Sequence, residues 1–180
     1  THFTQAITIA REINNKHDEG VYSGNLGDTL SRLNRLDEAE TAFREAIPIG
    51  DETFPVAAGA FRGSLALLLA KQGQLGEVQT LLETGESKIE AYPEEHAKFL
   101  CKKGQICLIA GDAEGARAAL VQAQGMAAEL KVRDDSEVGQ AVAELVALLG
   151  ESGPEGGGSA GGGSAEVSEE ERELALVEAE

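Results

Sequence analysis

Residues 23–46 read SGNLGDTLSRLNRLDEAETAFREA, and this stretch decides the fold. Leu26-Gly27 and Leu30 recur at helical spacing in its first half, and Ala39, Phe43 and Ala46 in its second. Between the halves, LNRLDEA carries a turn signal. The small residues Gly27 and Ala39 fall where two antiparallel helices must approach closely, while Leu26, Leu30 and Phe43 fill the space around them.

The same spacing returns at RGSLALLLAKQGQLGEVQTLLETG, residues 62–85, with Leu65-Ala66, Leu69, Val78, Leu82 and Gly85. It returns again at LCKKGQICLIAGDAEGARAALVQA, residues 100–123, with Gly104, Cys107, Gly111, Ala116, Leu120 and Ala123. The registers differ by 39 and 38 residues. HFTQAITIA places Phe3 and Ala6 at the Phe43/Ala46 spacing, the second helix of a truncated repeat. SEVGQAVAELVALL aligns Val142-Ala143 with Leu26-Gly27 as a lone closing helix. Tyr22, Phe61 and Phe99 form a further column at repeat spacing, read as core.

This pattern resembles the tetratricopeptide repeat family over roughly residues 2–149 and most specifically over 23–46. Ser23, Arg62 and Leu100 stand where the family often has an aromatic, and the period is longer than the usual value of about 34, as in members resembling kinesin light chains. The resemblance implies an all-α fold: an α-solenoid of antiparallel helix pairs with a C-terminal capping helix, occupying residues 1–150. It also implies a concave surface lined by the first helix of each repeat, and a protein–protein interaction module.

Within that geometry, helix periodicity enumerates the groove. The first full repeat contributes Val21, Gly24, Asn25, Asp28, Ser31 and Arg32; the second Ala60, Gly63, Ser64, Leu67, Ala70 and Lys71; the third Lys98, Cys101, Lys102, Gln105 and Leu108. Gln140 and Glu144 extend it on the closing helix. The small residues predict a roomy centre, Leu67, Leu108 and Cys101 an apolar floor, and Arg32, Lys71, Lys98 and Lys102 a mildly basic trough. Such a trough suits an acidic amphipathic ligand. Asn25 has both amide ends available for the backbone of a bound segment. Arg32 and Lys71 also lie near helix ends, where the dipole favours cations, and Glu94 or Glu95 is placed to neutralise Lys98 and Lys102.

The net charge of −17 disfavours a nucleic-acid partner. No run is long and apolar enough to span a membrane, and no signal-peptide pattern opens the chain. Thr1 leads directly into helical sequence and reads as the start of an excised fragment. Cys101 and Cys107 diverge by about 240° around one helix, so a reducing, cytoplasmic setting is expected. His2, His17 and His96 lack metal-ligand spacing, and phosphate-loop and nucleophile-elbow patterns are missing, so no catalytic residue, metal or cofactor is expected. Asp37-Glu38 and Asp134-Asp135 read as helix-start carboxylates.

The chain closes on GGGSAGGGSAEVSEEERELALVEAE, residues 156–180. Two copies of Gly-Gly-Gly-Ser-Ala resemble an engineered spacer, so 151–165 reads as a linker with 156–165 engineered. A coil of about 15 residues spans roughly 20–23 Å and stretches to about 50 Å. Residues 166–180 hold seven Glu against Arg172 and read as a tethered acidic amphipathic helix. Ser168 caps it, Glu171 completes a capping box, Leu174 and Val177 share a face with Leu176 and Ala175 at its edges, and Val167, Glu170, Glu171, Leu174 and Val177 are the expected ligand residues. The expectation is a ligand peptide from a partner protein, bound in the groove of its own or a swapped molecule, giving a monomer or a tail-swapped dimer. The alternative is a regulatory or peptide-sensing domain of a larger signalling protein whose groove the tail occupies.

Overall fold

The computed structural model describes residues 2–151. The spacer and the acidic peptide, with Val167, Glu170, Glu171, Leu174 and Val177, lie outside the described residues. Eight helices run in order among those described: α1 (His2–Glu12), α2 (Lys16–Arg32), α3 (Leu36–Thr53), α4 (Pro55–Lys71), α5 (Val78–Ile89), α6 (Pro93–Ile109), α7 (Ala113–Leu130) and α8 (Glu137–Glu151). The described part is an α-solenoid of helix pairs, α2 with α3, α4 with α5 and α6 with α7. Helix α1 packs on α2, and α8 closes the stack against α6 and α7.

The repeat is written most clearly into the turns. Asn34, Gly73 and Gly111 follow α2, α4 and α6 at spacings of 39 and 38 residues, and all three have positive φ. A helix ending this way needs a residue that tolerates the left-handed region. The chain then folds back through one recurring bond, from Arg35 N to Leu30 O at 2.9 Å, Gln74 N to Leu69 O at 2.9 Å and Asp112 N to Cys107 O at 2.8 Å. Helix starts are equally local: Asn15 and Asp112 cap α2 and α7, while Pro55 and Pro93 occupy the first turns of α4 and α6. Asp37 and Glu38 stand in the first turn of α3 as expected. Asp134 and Asp135 do not begin α8: they lie in the preceding turn, and the Ser136 hydroxyl accepts the Gly139 N–H at 3.1 Å instead.

Phe43, with Ala39 and Ala46, is fully buried between α2 and α3, and a β-carbon at Gly27 would stand 2.7 Å from its ring. A main core runs from Leu30 through Phe43, Phe61, Leu65, Leu69 and Ile89 to Phe99 and Ile106. A smaller one joins α6, α7 and α8 through Leu100, Cys101, Ala123 and Leu145. Cys101 and Cys107 are both free thiols.

Helix α1 is fastened to α2 by Glu19, a buried carboxylate that accepts from Lys16 Nζ and Arg11 Nε, each at 2.7 Å. The Lys16 and Arg11 hydrogen bonds hold its carboxyl below the usual range, against the cost of burial. A depressed folded pKa contributes stability above the unfolded value of about 4.3 and loses it as pH falls through the folded value. Glu19→Gln is expected to cost about 1–2 kcal/mol at neutral pH, since both cations are half-exposed and can rehydrate. The gap between thermal melts of the two proteins should start to narrow as pH falls below about 4.3 and close as it passes the lower folded-state value; an equal gap at pH 7 and pH 3 would overturn this account.

Candidate functional site

The first helices of successive repeats lie side by side, α2 against α4, α4 against α6 and α6 against α8. Their shared face encloses a cavity of about 590 Å³. Because the repeats are in register, side chains form rows across it: Val21, Ala60, Lys98 and Glu137; Asn25, Ser64, Lys102 and Ala141; Asp28, Leu67, Gln105 and Glu144. Two rows are bonded across helices. Lys98 Nζ reaches Glu137 Oε2 at 2.8 Å, and Lys102 Nζ donates to Ser64 Oγ at 2.6 Å.

The lining includes Val21, Asn25, Asp28, Ser31, Arg32, Ala60, Ser64, Leu67, Lys71, Lys98, Cys101, Lys102, Gln105, Gln140 and Glu144 from the enumerated groove. Gly24, Gly63, Ala70 and Leu108 are placed elsewhere. Gly24 is buried beneath the Phe61 ring, and a β-carbon at Gly63 would stand 2.7 Å from Phe99. Their lack of a side chain admits an aromatic ring of the next repeat, not a ligand. Ala70 is buried in the main core and Leu108 packs against the smaller one. The Tyr22, Phe61 and Phe99 column is core in its last two members, and Phe61 and Phe99 also show an edge to the cavity.

Periodic reasoning missed two kinds of lining residue. Glu137 brings a carboxylate to Lys98 at 2.8 Å, beside Glu95, which pairs with Lys98 at 2.7 Å as the sequence allows. Glu137 lies 39 residues after Lys98, so extending the repeat to the closing helix would have found it. Phe54 lines the cavity from the junction between α3 and α4, where no helical period applies, and Val56 and Ala57 line it from the first turn of α4, one turn before the enumerated Ala60. Phe54 is 39% exposed and its ring lies 5.1 Å from that of His17.

These carboxylates correct the charge reading. The lining holds Arg32, Lys71, Lys98 and Lys102 against Asp28, Glu95, Glu137 and Glu144, a balanced set and not a basic one. What distinguishes the cavity is which cations are left unpaired. Of the five Lys and Arg without an ion pair among the described residues, three line it: Arg32, Lys71 and Lys102. Burial lowers the Lys102 ammonium below the ordinary lysine range. At Lys98 burial acts the same way, but the Glu137 and Glu95 hydrogen bonds outweigh it and raise the pKa. Burial and the nearby Glu144 carboxylate push the Cys101 thiol up to about 11, so it serves as an apolar wall and not as a thiolate.

Residues 22–49 match the tetratricopeptide repeat. The match takes in α2 from Tyr22 and α3 as far as Ile49, the stretch whose pattern is most regular. Comparison of the chain with curated proteins finds no match. Tetratricopeptide repeats are non-enzymatic interaction repeats that bind protein partners. Among the described residues no helix is long and apolar enough to cross a membrane, and no group of three or more His, Cys, Asp or Glu is placed to hold a metal.

Proposed function

We propose that the cavity is a docking groove for a short acidic amphipathic helix of a protein partner, and that residues 167–179 stand for such a helix. The observation that carries the reading is the coincidence of unpaired cations with an apolar floor. Arg32, Lys71 and Lys102 share one concavity with Leu67, Phe54 and the edges of Phe61 and Phe99, in a chain of net charge −17. In a chain this acidic, cations are scarce, so leaving three without a carboxylate favours an anionic visitor. The apolar surface between them favours a helix with one greasy face.

The 166–180 segment has that composition, and its tether of about 15 residues gives it an effective concentration in the millimolar range. Glu169, Glu170 and Glu171 precede Leu174 and Val177, so an acidic first turn is followed by an apolar stripe. A helix this short is marginal alone in water, and burying Leu174 and Val177 supplies the missing stabilisation.

Among the described residues both cores lie within 2–151, and a chain ending at residue 151 serves as the acceptor once it shows the helix content and cooperative thermal unfolding of the full chain. Titrating a synthetic 166–180 peptide into this acceptor should show saturable binding that weakens at high salt. Leu174→Ala in the peptide should lower affinity by about tenfold or more, the loss from exposing one buried leucine. Undetectable binding at both low and high salt would overturn the proposal, as would binding indifferent to Leu174.

A further inference from the structure

We propose that the two ends of the repeat stack are halves of one interface, joining α8 of one copy of this chain to α1 of a second copy in a head-to-tail contact. The contact uses the outer faces of the end helices and does not depend on the peptide-binding reading above.

Each complete repeat closes a first helix on a second: α2 on α3, α4 on α5 and α6 on α7. Among the described residues, α1 is a second helix with no first helix before it, and α8 is a first helix with no second helix after it. The side chains record what each half lacks. Phe43 and Ala46 are fully buried, while Phe3 and Ala6, 40 residues earlier, are only half-buried. Ile49 and Ile89 lie on glycines of their first helices: a β-carbon at Gly20 would stand 2.9 Å from Ile49, and one at Gly59 2.6 Å from Ile89. Ile9, in the same register on α1, is 56% exposed. On α8, Val146 takes the register of Leu30 and Leu69, both buried, yet it is 45% exposed. Ala143 takes the register of Gly27, which receives the Phe43 ring, and it too is exposed.

A stacked array stays dispersed when its end units turn a polar face outward. Here both ends turn out apolar side chains, and the two sets complement one another. Helix α1 carries the Phe and Ile of a second helix, and α8 carries the positions that receive them. Setting α1 of one copy on α8 of another continues the helix-pair interface that the chain already repeats three times. Phe3 then meets Ala143 as Phe43 meets Gly27 within one molecule. Charge agrees with this pairing. Helix α8 has Glu137, Glu144 and Glu151 and no cation, whereas residues 2–16 carry Arg11 and Lys16 against Glu12, in a chain of net charge −17. The two contact patches differ, so the interface is heterologous: every assembly keeps a free α1 and a free α8, and copies add without closing. The row of first helices then runs on from α8 into α2 of the next copy.

The test is the mass of the full chain in solution, followed by light scattering as its concentration rises. Wild type should grow from monomer into open-ended oligomers with no fixed stoichiometry. Ile9→Glu and Val146→Glu change exposed side chains, and each should weaken association about 10- to 100-fold, so that each alone stays monomeric where the wild type assembles. An equimolar mixture of the two should form a dimer that grows no further, because the first variant keeps a working α8 and the second a working α1. Ile9→Ser and Val146→Ser repeat the test with a smaller change should either glutamate lower the melting temperature. Leu174→Glu in the tail should leave self-association unchanged. A wild type that stays monomeric into the millimolar range overturns the inference. A mixture that stays monomeric also overturns it, by assigning the association to another surface. Loss of association on Leu174→Glu would mark a tail-swapped dimer, overturning this contact while supporting the groove reading.

Discussion

Phe99→Ala is expected to cost about 3–5 kcal/mol of stability, among the largest losses available from a single truncation in this chain. Phe99 is 1% exposed and lies over two glycines at once: a β-carbon at Gly63 would stand 2.7 Å from its ring and one at Gly85 would stand 2.9 Å away. Neither glycine has a side chain that can move into the space, so the void persists and its lining loses dispersion contacts outright. The ring also joins the second and third repeats, being a member of the main core although it belongs to α6. Urea unfolding should show a lower midpoint with an unchanged slope. Gly63→Ala should itself destabilise the wild type but become neutral or favourable in Phe99→Ala, because the obstruction is gone. Additive losses in the double variant would show that the ring and the glycine do not compete for one space.

Gly59→Val is expected to destabilise by about 3 kcal/mol, the upper end of the usual cost of overpacking. A β-carbon at Gly59 would lie 2.8 Å from the Gly85 carbonyl oxygen, 2.6 Å from Ile89 Cγ2 and 3.0 Å from Lys88 Cβ. The nearest polar obstacle is backbone, and the approach is reciprocal, since a β-carbon at Gly85 would stand 3.0 Å from the Gly59 carbonyl. Helices α4 and α5 meet here with no side chain between them, so relief requires the helices themselves to part. Helix propensity works the other way, alanine being better than glycine by about 1 kcal/mol. Gly59→Ala should therefore lose less than valine, and Gly125→Ala should gain, because nothing stands within 4 Å of a β-carbon at Gly125. Thermal melts of the three variants give the order; a stabilised Gly59→Ala would show that the crossing is looser than described.

The solenoid was legible because its signal is redundant. The 39- and 38-residue offsets that align Gly27 with Ala66 and Gly104 also align the turn residues Asn34, Gly73 and Gly111 and the cavity rows. The same periodicity misplaced Gly24 and Gly63. Helix geometry says which way a position faces, but not how far a neighbouring aromatic reaches, and Phe61 and Phe99 reach far enough to cover both. Charge suffered similarly. Lys98 and Lys102 sit four residues apart on one helix, yet Lys98 finds Glu95 and Glu137 while Lys102 finds Ser64. Which lysine is neutralised depends on a residue 39 positions away on α8, a pairing that exists only after the stack has formed.

The smaller core gives the groove walls of unequal stiffness. Helix α8 forms the far wall through Gln140, Ala141 and Glu144, yet within it only Val138 and Leu145 are buried. On the opposite wall, α2 is backed by Phe43 and α4 by the whole main core. In a stacked array each unit is stabilised by its immediate neighbours, so a helix with few buried side chains opens at lower free energy than those in the main core. A visitor that touches α8 thereby gains contact area and also braces its lightly buried seam with α6 and α7. Part of its binding free energy is then drawn into local folding, and occupancy of the groove should be felt as cooperativity along the repeats as well as in the contacts beneath the ligand.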